Sequence, residues 1–313
     1  MRIGTAAIAE LPGDYELVDV GGGRKRERFG KYVVDRPAMF TDPRGRATHS
    51  TGATAGLSSR ADFVYQRQSE SSSGRWVRGD GSPVAGPVTW NVTIGQLTFE
   101  LRLTDSGQVG LFPEQADNWQ WIDQQVARLA ADHYTRNLDP PRVLNLFAYS
   151  GASTLSAAAA GAEVAQVDAA RPVVQWARRN SELSGLSSAP IRWLVDDART
   201  FVRRELRRRR RYEGIVLDPP SYGHGIKGPR SVLNDWRFQR DLPELLAACR
   251  QLLDPERAFM LLTCHTTGVT CEQLAAWFEQ ATGWRPTQTI DMEIKAATGE
   301  TLPSGVCVRW TGK

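Results

Sequence analysis

Residues 142–168 read RVLNLFAYSGASTLSAAAAGAEVAQVD. The apolar run Val143–Phe147 predicts a buried strand, the loop through Gly151 predicts a tight turn, and the small residues that follow predict a helix. A second strand then ends at Asp168. A unit of this kind binds nucleosides, because the glycine lets the backbone approach the ligand and an acid about 20 residues further on accepts hydrogen bonds from ribose hydroxyls.

The same alternation of strand and helix continues through the rest of the chain. Parallel strands joined by crossover helices predict a doubly wound α/β sheet, in which ligands bind beyond the carboxyl ends of the strands. The two last strands are expected to form an antiparallel hairpin at one edge. Strands are predicted at Val143–Phe147, Val164–Val167, Ile191–Val195, Gly214–Leu217, Phe259–Cys264, Gln288–Ile294 and Gly305–Trp310, with helices centred on Ala157, Trp176, Val202 and Leu245 and a further helix over Cys271–Ala281.

The first part of the chain has a different pattern, with short β-like runs separated by Gly, Ser and Pro. These runs are YELVDV, GKYVVDRP, DFVYQRQ, GRWVRG and VTWNVTIGQLTFELRLT, the last of which predicts a hairpin across Gly95. A helix that carries Trp119, Ile122, Val126 and Leu129 at spacings of three and four is expected to bridge the two parts. We predict a β-rich domain over residues 1–112, a candidate for substrate recognition, and an α/β domain over residues 113–313.

The composition excludes several classes of protein. With 41% hydrophobic and 24% charged residues, the 313-residue chain is expected to be soluble and globular. It shows neither a secretory signal nor an apolar run of about 18 residues, so we expect a cytoplasmic protein with no membrane partner. The four cysteines form no CxxC pair and have no histidine at zinc-finger spacing, so we expect reduced thiols and no metal.

Arginine dominates the basic residues. The formal net charge is only +4, yet 34 of the 39 basic residues are Arg, and the planar guanidinium suits contacts to phosphates and bases. Mutational bias in a GC-rich genome explains the same preference equally well. The run Arg207–Arg211 has two interpretations, a solvated end of a helix that favours cations, or a clamp for RNA.

The loops after the first three strands indicate the kind of nucleoside. The first loop has one glycine where GxGxxG has three, and no lysine follows as in a phosphate-binding loop, so an adenosyl ligand without phosphates is favoured. Asp168 is expected to accept from the ribose, or to cap the helix that begins near Arg171. Asp196 and Asp197 follow the third strand, where a carboxylate accepts from the adenine amino group or caps the next helix.

The fourth strand ends in the sequence Asp218-Pro219-Pro220-Ser221-Tyr222. This arrangement places a carboxylate, a rigid backbone and an aromatic ring around one point. Asp218 and the Pro219 carbonyl are expected to accept hydrogens from an amino-bearing base, while Tyr222 stacks on a base flipped out of its helix. These three residues form the predicted catalytic set. The alternative is a turn that only ends the strand.

These motifs carry a resemblance to a known family. The chain from about Phe112 onward resembles class I S-adenosylmethionine-dependent methyltransferases, and more narrowly the large-subunit ribosomal RNA methyltransferases that act on cytosine C5 or guanine N7. NLFAYSG is similar to the glycine loop of that family, VDAA to its ribose-binding strand end, and DDA and DPPSYG to its adenine and target motifs. The resemblance implies a seven-stranded sheet with S-adenosylmethionine as cofactor. The residues that it implies for cofactor binding are Gln115, Asn145, Phe147, Tyr149, Gly151, Asp168, Asp196 and Asp197.

The family resemblance also bears on the atom that is methylated. Cytosine C5 is a poor nucleophile, so its methylation needs a cysteine thiolate. In cytosine-modifying relatives this cysteine corresponds to Thr266, whereas the cysteine of this chain, Cys264, lies two residues earlier. Methylation of a nitrogen needs no covalent partner, only alignment and desolvation. His265 and His224 are further candidates for a group that takes a proton.

We therefore predict a methyltransferase that modifies a base nitrogen in RNA, most consistently ribosomal RNA. The alternatives are cytosine C5 methylation through Cys264, a small-molecule or protein substrate, and a non-catalytic binder in ribosome assembly. No metal and no membrane partner are expected, and the oligomeric state stays open.

Overall fold

The computed structural model describes residues 2–8, 13–38, 60–67, 74–136, 138–223 and 235–312. In the first part of the chain the strands are β1 (Arg2–Ile8), β2 (Tyr15–Gly21), β3 (Arg24–Phe29), β4 (Tyr32–Pro37), β5 (Phe63–Arg67), β6 (Gly74–Arg78), β7 (Thr89–Ile94) and β8 (Leu97–Arg102). A short 3₁₀ helix over Pro113–Gln115 then leads into α1 (Ala116–Thr135).

The second part alternates strands and helices as the sequence predicts. Its elements are β9 (Arg142–Leu146), α2 (Ala152–Ala159), β10 (Glu163–Asp168), α3 (Arg171–Leu183), β11 (Ile191–Val195), α4 (Ala198–Arg207), β12 (Gly214–Leu217), β13 (Tyr222–Gly223), β14 (Trp236–Arg237), α5 (Phe238–Arg250), β15 (Phe259–Cys264), α6 (Cys271–Thr282), β16 (Gln288–Lys295) and β17 (Thr301–Thr311). The predicted doubly wound α/β class is confirmed.

The large sheet has the strand order β1-β16-β17-β15-β12-β9-β10-β11. Strands β15, β12, β9, β10 and β11 are parallel, and β17 is antiparallel to β15 and β16. The expected hairpin of the last two strands is therefore present. From β9 the chain first adds β10 and β11 on one side and then returns to add β12 on the other. Ligands of such sheets bind at the point where the order reverses, here between β9 and β12.

Strand β1 adds an eighth strand to the seven that the family resemblance implies. It pairs parallel with β16 and covers the outer edge of the hairpin. Residues 2–8 thus contribute to the large sheet, although the division at residue 112 had placed them in the β-rich domain. Their distance along the chain from β16 explains why no local pattern predicted this pairing.

The central strands are buried along their whole length. Every residue of β12 and β15 is buried, because helices cover both faces of the sheet. One face packs against α4, α5 and α6, and the other against α1 and α2. Within the described residues, no helix is long and apolar enough to cross a membrane.

The small domain, residues 13–112, contains a five-stranded sheet of order β2-β3-β4-β5-β6 and the predicted hairpin β7-β8. Strand β3 was missed in the sequence because it reads Arg-Lys-Arg-Glu-Arg-Phe. Its charges are paired across the sheet: Arg36 Nε lies 2.6 Å from Glu27 Oε2, and Arg24 Nε lies 2.5 Å from Asp35 Oδ1. Cross-strand ion pairs therefore replace the apolar alternation that normally reveals a strand.

Hydrogen bonds join the β7-β8 hairpin to α3 of the large domain. Glu100 N–H donates to Asn180 Oδ1 (2.8 Å), and Trp176 Nε1–H donates to the Glu100 carbonyl (2.8 Å). Asn180 also donates to the Ser150 carbonyl (2.9 Å), in the loop after β9. This contact places the small domain beside the carboxyl ends of the strands.

Candidate active site

A cavity of about 410 Å³ lies at the carboxyl ends of β9, β10, β11 and β12. This is the switch point of the sheet, and the volume falls in the range of small-molecule sites. Its described wall contains four aspartates and neither Lys nor Arg, so it suits a ligand that carries positive charge and no phosphate. The lining residues are Gln108, Phe112, Phe147, Tyr149, Val167, Asp168, Ala169, Asp196, Asp197, Ala198, Asp218, Pro219, Pro220, Gly223, Trp236 and His265.

The loop after β9 has an unusual backbone. Phe147 and Tyr149 have φ of 57° and 47°, and Gly151 has φ of 93°. Positive φ is uncommon for residues with a side chain and clusters at functional sites. The Tyr149 ring packs on Phe112 (5.3 Å between centroids) and Trp176 (5.9 Å). Burial raises the pKa of Tyr149 to about 12, so its hydroxyl is neutral at physiological pH.

Asp168 links this loop to the end of β10. Its Oδ2 accepts from Tyr149 N–H (2.9 Å) and its Oδ1 from Ala170 N–H (2.9 Å), directly before α3. The N-cap of α3 is Ala170 and the helix has no side-chain cap, so Asp168 does not cap it; the carboxylate accepts from the N–H of the N-cap residue and lines the cavity. Burial raises the pKa of Asp168, and the two amide donors oppose that shift. A carboxylate has about four acceptor positions, so positions remain for a ligand.

Asp196 and Asp197 both line the cavity, but their hydrogen bonds differ. Asp197 is the N-cap of α4, with Oδ1 accepting from Thr200 N–H (2.9 Å). Asp196 Oδ2 lies 2.6 Å from Arg204 Nη2, and its Oδ1 accepts from Asp197 N–H (2.9 Å). Helix capping thus accounts for Asp197, and an ion pair holds Asp196.

Two residues predicted for cofactor binding lie behind the wall. Asn145 is 2% exposed and donates from Nδ2 to Thr154 Oγ1 (2.9 Å). Gly151 begins α2, and a Cβ there would lie 3.0 Å from Ala177 Cβ and 3.1 Å from Gln166 Oε1. Neither lines the cavity; they hold the strand and the loop in shape.

Asp218 is the centre of a hydrogen-bond network. Its Oδ1 accepts from Thr263 Oγ1 (2.6 Å) and its Oδ2 from Gln115 Nε2 (3.3 Å). His265 Nε2 lies 3.4 Å from Oδ1. Burial by itself raises the pKa of Asp218, but His265 and the hydrogen bonds outweigh burial, and the pKa is lowered. Asp218 is therefore ionised at neutral pH.

Gln115 lies in this network and not in the cavity wall. It is 6% exposed, and its Oε1 accepts from Asn118 Nδ2 (2.7 Å). Its side chain contacts Asp218 across 103 residues of sequence, and the cofactor contact of Gln115 stays a prediction.

His265 carries the positive charge that faces Asp218. Its Nδ1 contacts the Ser304 carbonyl (2.7 Å). Burial lowers the pKa of His265, but Asp218 and the neighbouring Glu114 outweigh this effect and raise it to about 9. With this raised pKa the ring carries its positive charge at neutral pH and forms an ion pair with Asp218.

The prolines of the Asp218-Pro219-Pro220 motif line the cavity, and Trp236 Nε1–H donates to the Pro220 carbonyl (2.7 Å). Tyr222 lies at the surface with 48% of its area exposed, and its hydroxyl donates to Asp235 Oδ2 (2.6 Å). The structure therefore places Tyr222 next to the cavity rather than in its wall. His224 lies outside the described residues.

No thiol reaches the cavity. All four cysteines of the chain are buried and lie outside its lining. Cys264 is 1% exposed, and burial raises its pKa, which disfavours the thiolate. Thr266 occupies the position expected for a nucleophile, and its hydroxyl lies 2.8 Å from Ser221 Oγ.

The arginine run lies away from the cavity. Arg207 ends α4, and Arg211 precedes the first residues of β12, at the amino ends of the parallel strands. Arg211 donates to the Gln251 carbonyl. The run is thus at the opposite edge of the sheet from the cavity.

Three lining residues lie outside the motifs recognised in the sequence: Gln108, Phe112 and Trp236. Phe112 is three residues before Gln115, so proximity was a usable signal. Trp236 stands 18 residues after Asp218 and reaches the wall only because β14 pairs with β13.

The comparisons with known proteins agree with this geometry. A family model described as S-adenosylmethionine-dependent methyltransferase matches residues 44–258. A solved S-adenosylmethionine-dependent methyltransferase from Agrobacterium tumefaciens is 30% identical, with a TM-score of 0.78, over 100% of this chain and 97% of that one.

Two curated relatives match part of the chain. Ribosomal RNA large subunit methyltransferase K/L of Magnetococcus marinus is 31% identical over 170 residues, which is 51% of this chain and 20% of the relative. Ribosomal RNA large subunit methyltransferase I of Citrobacter koseri is 30% identical over 145 residues, 46% of this chain and 34% of the relative. The chain thus spans about a fifth to a third of the length of these relatives.

Proposed function

The chain belongs to the S-adenosylmethionine-dependent methyltransferases, and from this premise we propose that it methylates a nitrogen of a base in ribosomal RNA. S-adenosylmethionine is the methyl donor and supplies an electrophilic methyl group on a sulfonium. The observation that carries the proposal is the ionised Asp218, held by three side chains at the end of β12, beside a cavity that no thiol reaches.

The described wall fits the donor. In the proposal, Asp168 accepts from the ribose hydroxyls, and Asp196 and Asp197 face the adenine. Phe147 and Trp236, whose rings are 5.0 Å apart, supply an apolar surface. The excess of carboxylates suits a sulfonium and an amino group. Asn145, Tyr149 and Gly151 hold the loop that shapes this wall.

Asp218 and the Pro219 carbonyl accept hydrogens from the amino-bearing edge of the acceptor base. The charge on His265 keeps Asp218 ionised, and Gln115 and Thr263 fix its orientation. An oriented and desolvated nitrogen needs no covalent activation. Tyr222, half-exposed at the rim, is the surface on which a flipped base stacks.

The choice of ribosomal RNA is supported by the two curated relatives, whose names give that substrate. Cytosine C5 methylation is less well supported, because Cys264 is enclosed in the core. The small domain is proposed to contact the RNA, since Gln108 and Phe112 at its end line the cavity.

The test is methyl transfer from tritiated S-adenosylmethionine to unmodified 23S and 16S ribosomal RNA, followed by nucleoside mass spectrometry. The expected product is a base methylated on nitrogen. A 5-methylcytidine product would overturn the choice of atom, and the absence of any labelled RNA would overturn the choice of substrate.

A further inference from the structure

A second cavity, of about 190 Å³, adjoins the first one. The two share Gln108, Phe112 and His265 in their walls. The remaining wall includes residues of β3, β4 and β5 in the small domain, the loop residues Ser106 and Gly107, Glu114 of the 3₁₀ helix, and two residues of β17. A ligand in this second cavity would therefore lie across His265 from the proposed donor site.

The second cavity contains a carboxylate whose acceptor capacity is unused. Glu114 is 8% exposed, and within the described residues it makes no side-chain hydrogen bond and no ion pair. Its Oε2 is fully enclosed without a partner. A buried acceptor left without a donor is destabilising, and more so when the group is charged. The other oxygen, Oε1, is not fully enclosed, so a ligand with N–H groups in the cavity would supply a donor to the same carboxylate.

Cations occupy the other side of the same wall. Lys25 Nζ lies 3.1 Å from Glu27 Oε1 and Arg36 Nε lies 2.6 Å from Glu27 Oε2, so two positive charges share one buried carboxylate. Arg67 lines the cavity from an exposed position and makes no ion pair within the described residues. This side of the cavity therefore attracts an anion.

A donor-bearing edge and an anion are combined in a nucleotide. We infer that the second cavity binds the nucleotide next to the acceptor in the RNA, with the Glu114 carboxylate accepting from an amino group of its base and Arg67 contacting the phosphate. The inference rests on the proposed function, because it names the residues that recognise the base beside the methylated one. Carboxylates recognise amino groups of bases in this way elsewhere, and the edge of an unstacked base is read by the same kind of hydrogen bond.

The test measures binding and not methylation, so that it can fail independently of the proposed function. The full chain, saturated with S-adenosylhomocysteine, is titrated with two pairs of nucleotides, GMP with IMP and CMP with UMP. Only the first member of each pair carries the amino group. Dissociation constants are measured by saturation-transfer NMR. The wild-type protein is expected to bind an amino-bearing nucleotide at least tenfold more tightly than its partner without the amino group. Glu114→Gln is expected to reduce that ratio to within twofold while S-adenosylhomocysteine affinity changes by less than twofold.

Matched variants separate this role from a structural one. Glu163→Gln changes an exposed carboxylate at the start of β10 and should keep the full ratio. Arg67→Ala should weaken binding of the nucleotide at least fivefold and leave the corresponding nucleoside unaffected, whereas Arg128→Ala, on the exposed face of α1, should change neither. A ratio that survives in Glu114→Gln, or a wild-type protein without any preference, would overturn the inference.

Discussion

Nε2 of His265 lies 3.4 Å from Oδ1 of Asp218, and each of these residues directly follows one of two adjacent parallel strands. The pair thus forms where β12 and β15 end together at the cavity. Burial alone would suppress both charges, yet each partner favours the charged form of the other. The carboxylate beside the proposed acceptor is therefore held ionised by the fold itself.

The pair predicts a dependence of stability on pH. Folding raises the pKa of His265 from 6.5 to about 9, so its contribution is full below about pH 6.5 and is lost as the pH rises through about 9. Asp218 has a lowered pKa, so its contribution is lost only in acid, below its ordinary value of 3.8. Thermal unfolding should show His265→Gln several degrees less stable than wild type at pH 6, with the difference disappearing by about pH 10. A difference that stays constant over this range would contradict the ion pair.

We predict that Asp168 contributes to the affinity for the cofactor. Asp168→Ala removes the acceptors proposed for the ribose, and loss of hydrogen bonds to a charged group should weaken S-adenosylhomocysteine binding by about 10-fold to 100-fold or more. Isothermal titration calorimetry measures this change. Asp123→Ala, an exposed aspartate of α1, is the matched control and should bind as wild type does. Unchanged binding by Asp168→Ala would remove Asp168 from the cofactor site.

Asp218 and Cys264 distinguish the two chemistries. Asp218→Ala should lower kcat for RNA methylation at least 100-fold with little change in S-adenosylhomocysteine affinity, because the residue orients the acceptor and not the donor. Cys264→Ala should keep most of the activity, since its thiol is buried in the core. Single-turnover methyl transfer measures both variants. Full activity in Asp218→Ala together with an inactive Cys264→Ala would require the thiolate mechanism.

The packing of Gly110 against the Trp176 ring of α3 is expected to stabilise the contact between the two domains. A Cβ at Gly110 would lie 2.1 Å from the Trp176 ring, and its φ is +105°, so Gly110→Ala meets both a clash and backbone strain. We expect a loss of about 2–4 kcal/mol in the free energy of unfolding. Gly81→Ala has a similar φ of +85° but open space around the Cβ, and should lose about 1 kcal/mol.

Urea denaturation compares these two glycine variants. Because Trp176 also packs on Tyr149, Gly110→Ala should weaken S-adenosylhomocysteine binding as well, whereas Gly81→Ala should not. Equal stability losses in the two variants would show that φ alone, and not the Trp176 contact, determines the cost.

The strands that carry the site were predictable to within a residue. Gly214–Leu217 and Phe259–Cys264 were predicted with the bounds that the structure gives, because buried parallel strands read as continuous apolar runs. In contrast, β3 was missed because its charges are satisfied across strands, and β1 because its partner β16 is almost the whole chain away. The hydrophobic pattern of a local stretch of sequence gives no signal of cross-strand ion pairs or of a strand partner that is distant in the chain.

The sequence by itself determined the α/β class and the edge at which the aspartates gather. Asp168, Asp196 and Asp218 each follow a predicted strand, and the carboxyl ends of parallel strands share one edge of a sheet. Only the tertiary structure decided what each aspartate contacts. Gln115 reaches Asp218 across 103 residues, and His265 reaches it from another strand, because hydrogen bonds and charge pairs depend on distance in space. The same packing encloses Cys264 and leaves Glu114 without a hydrogen-bond partner among the described residues. Neither outcome can be predicted from the residues adjacent in sequence.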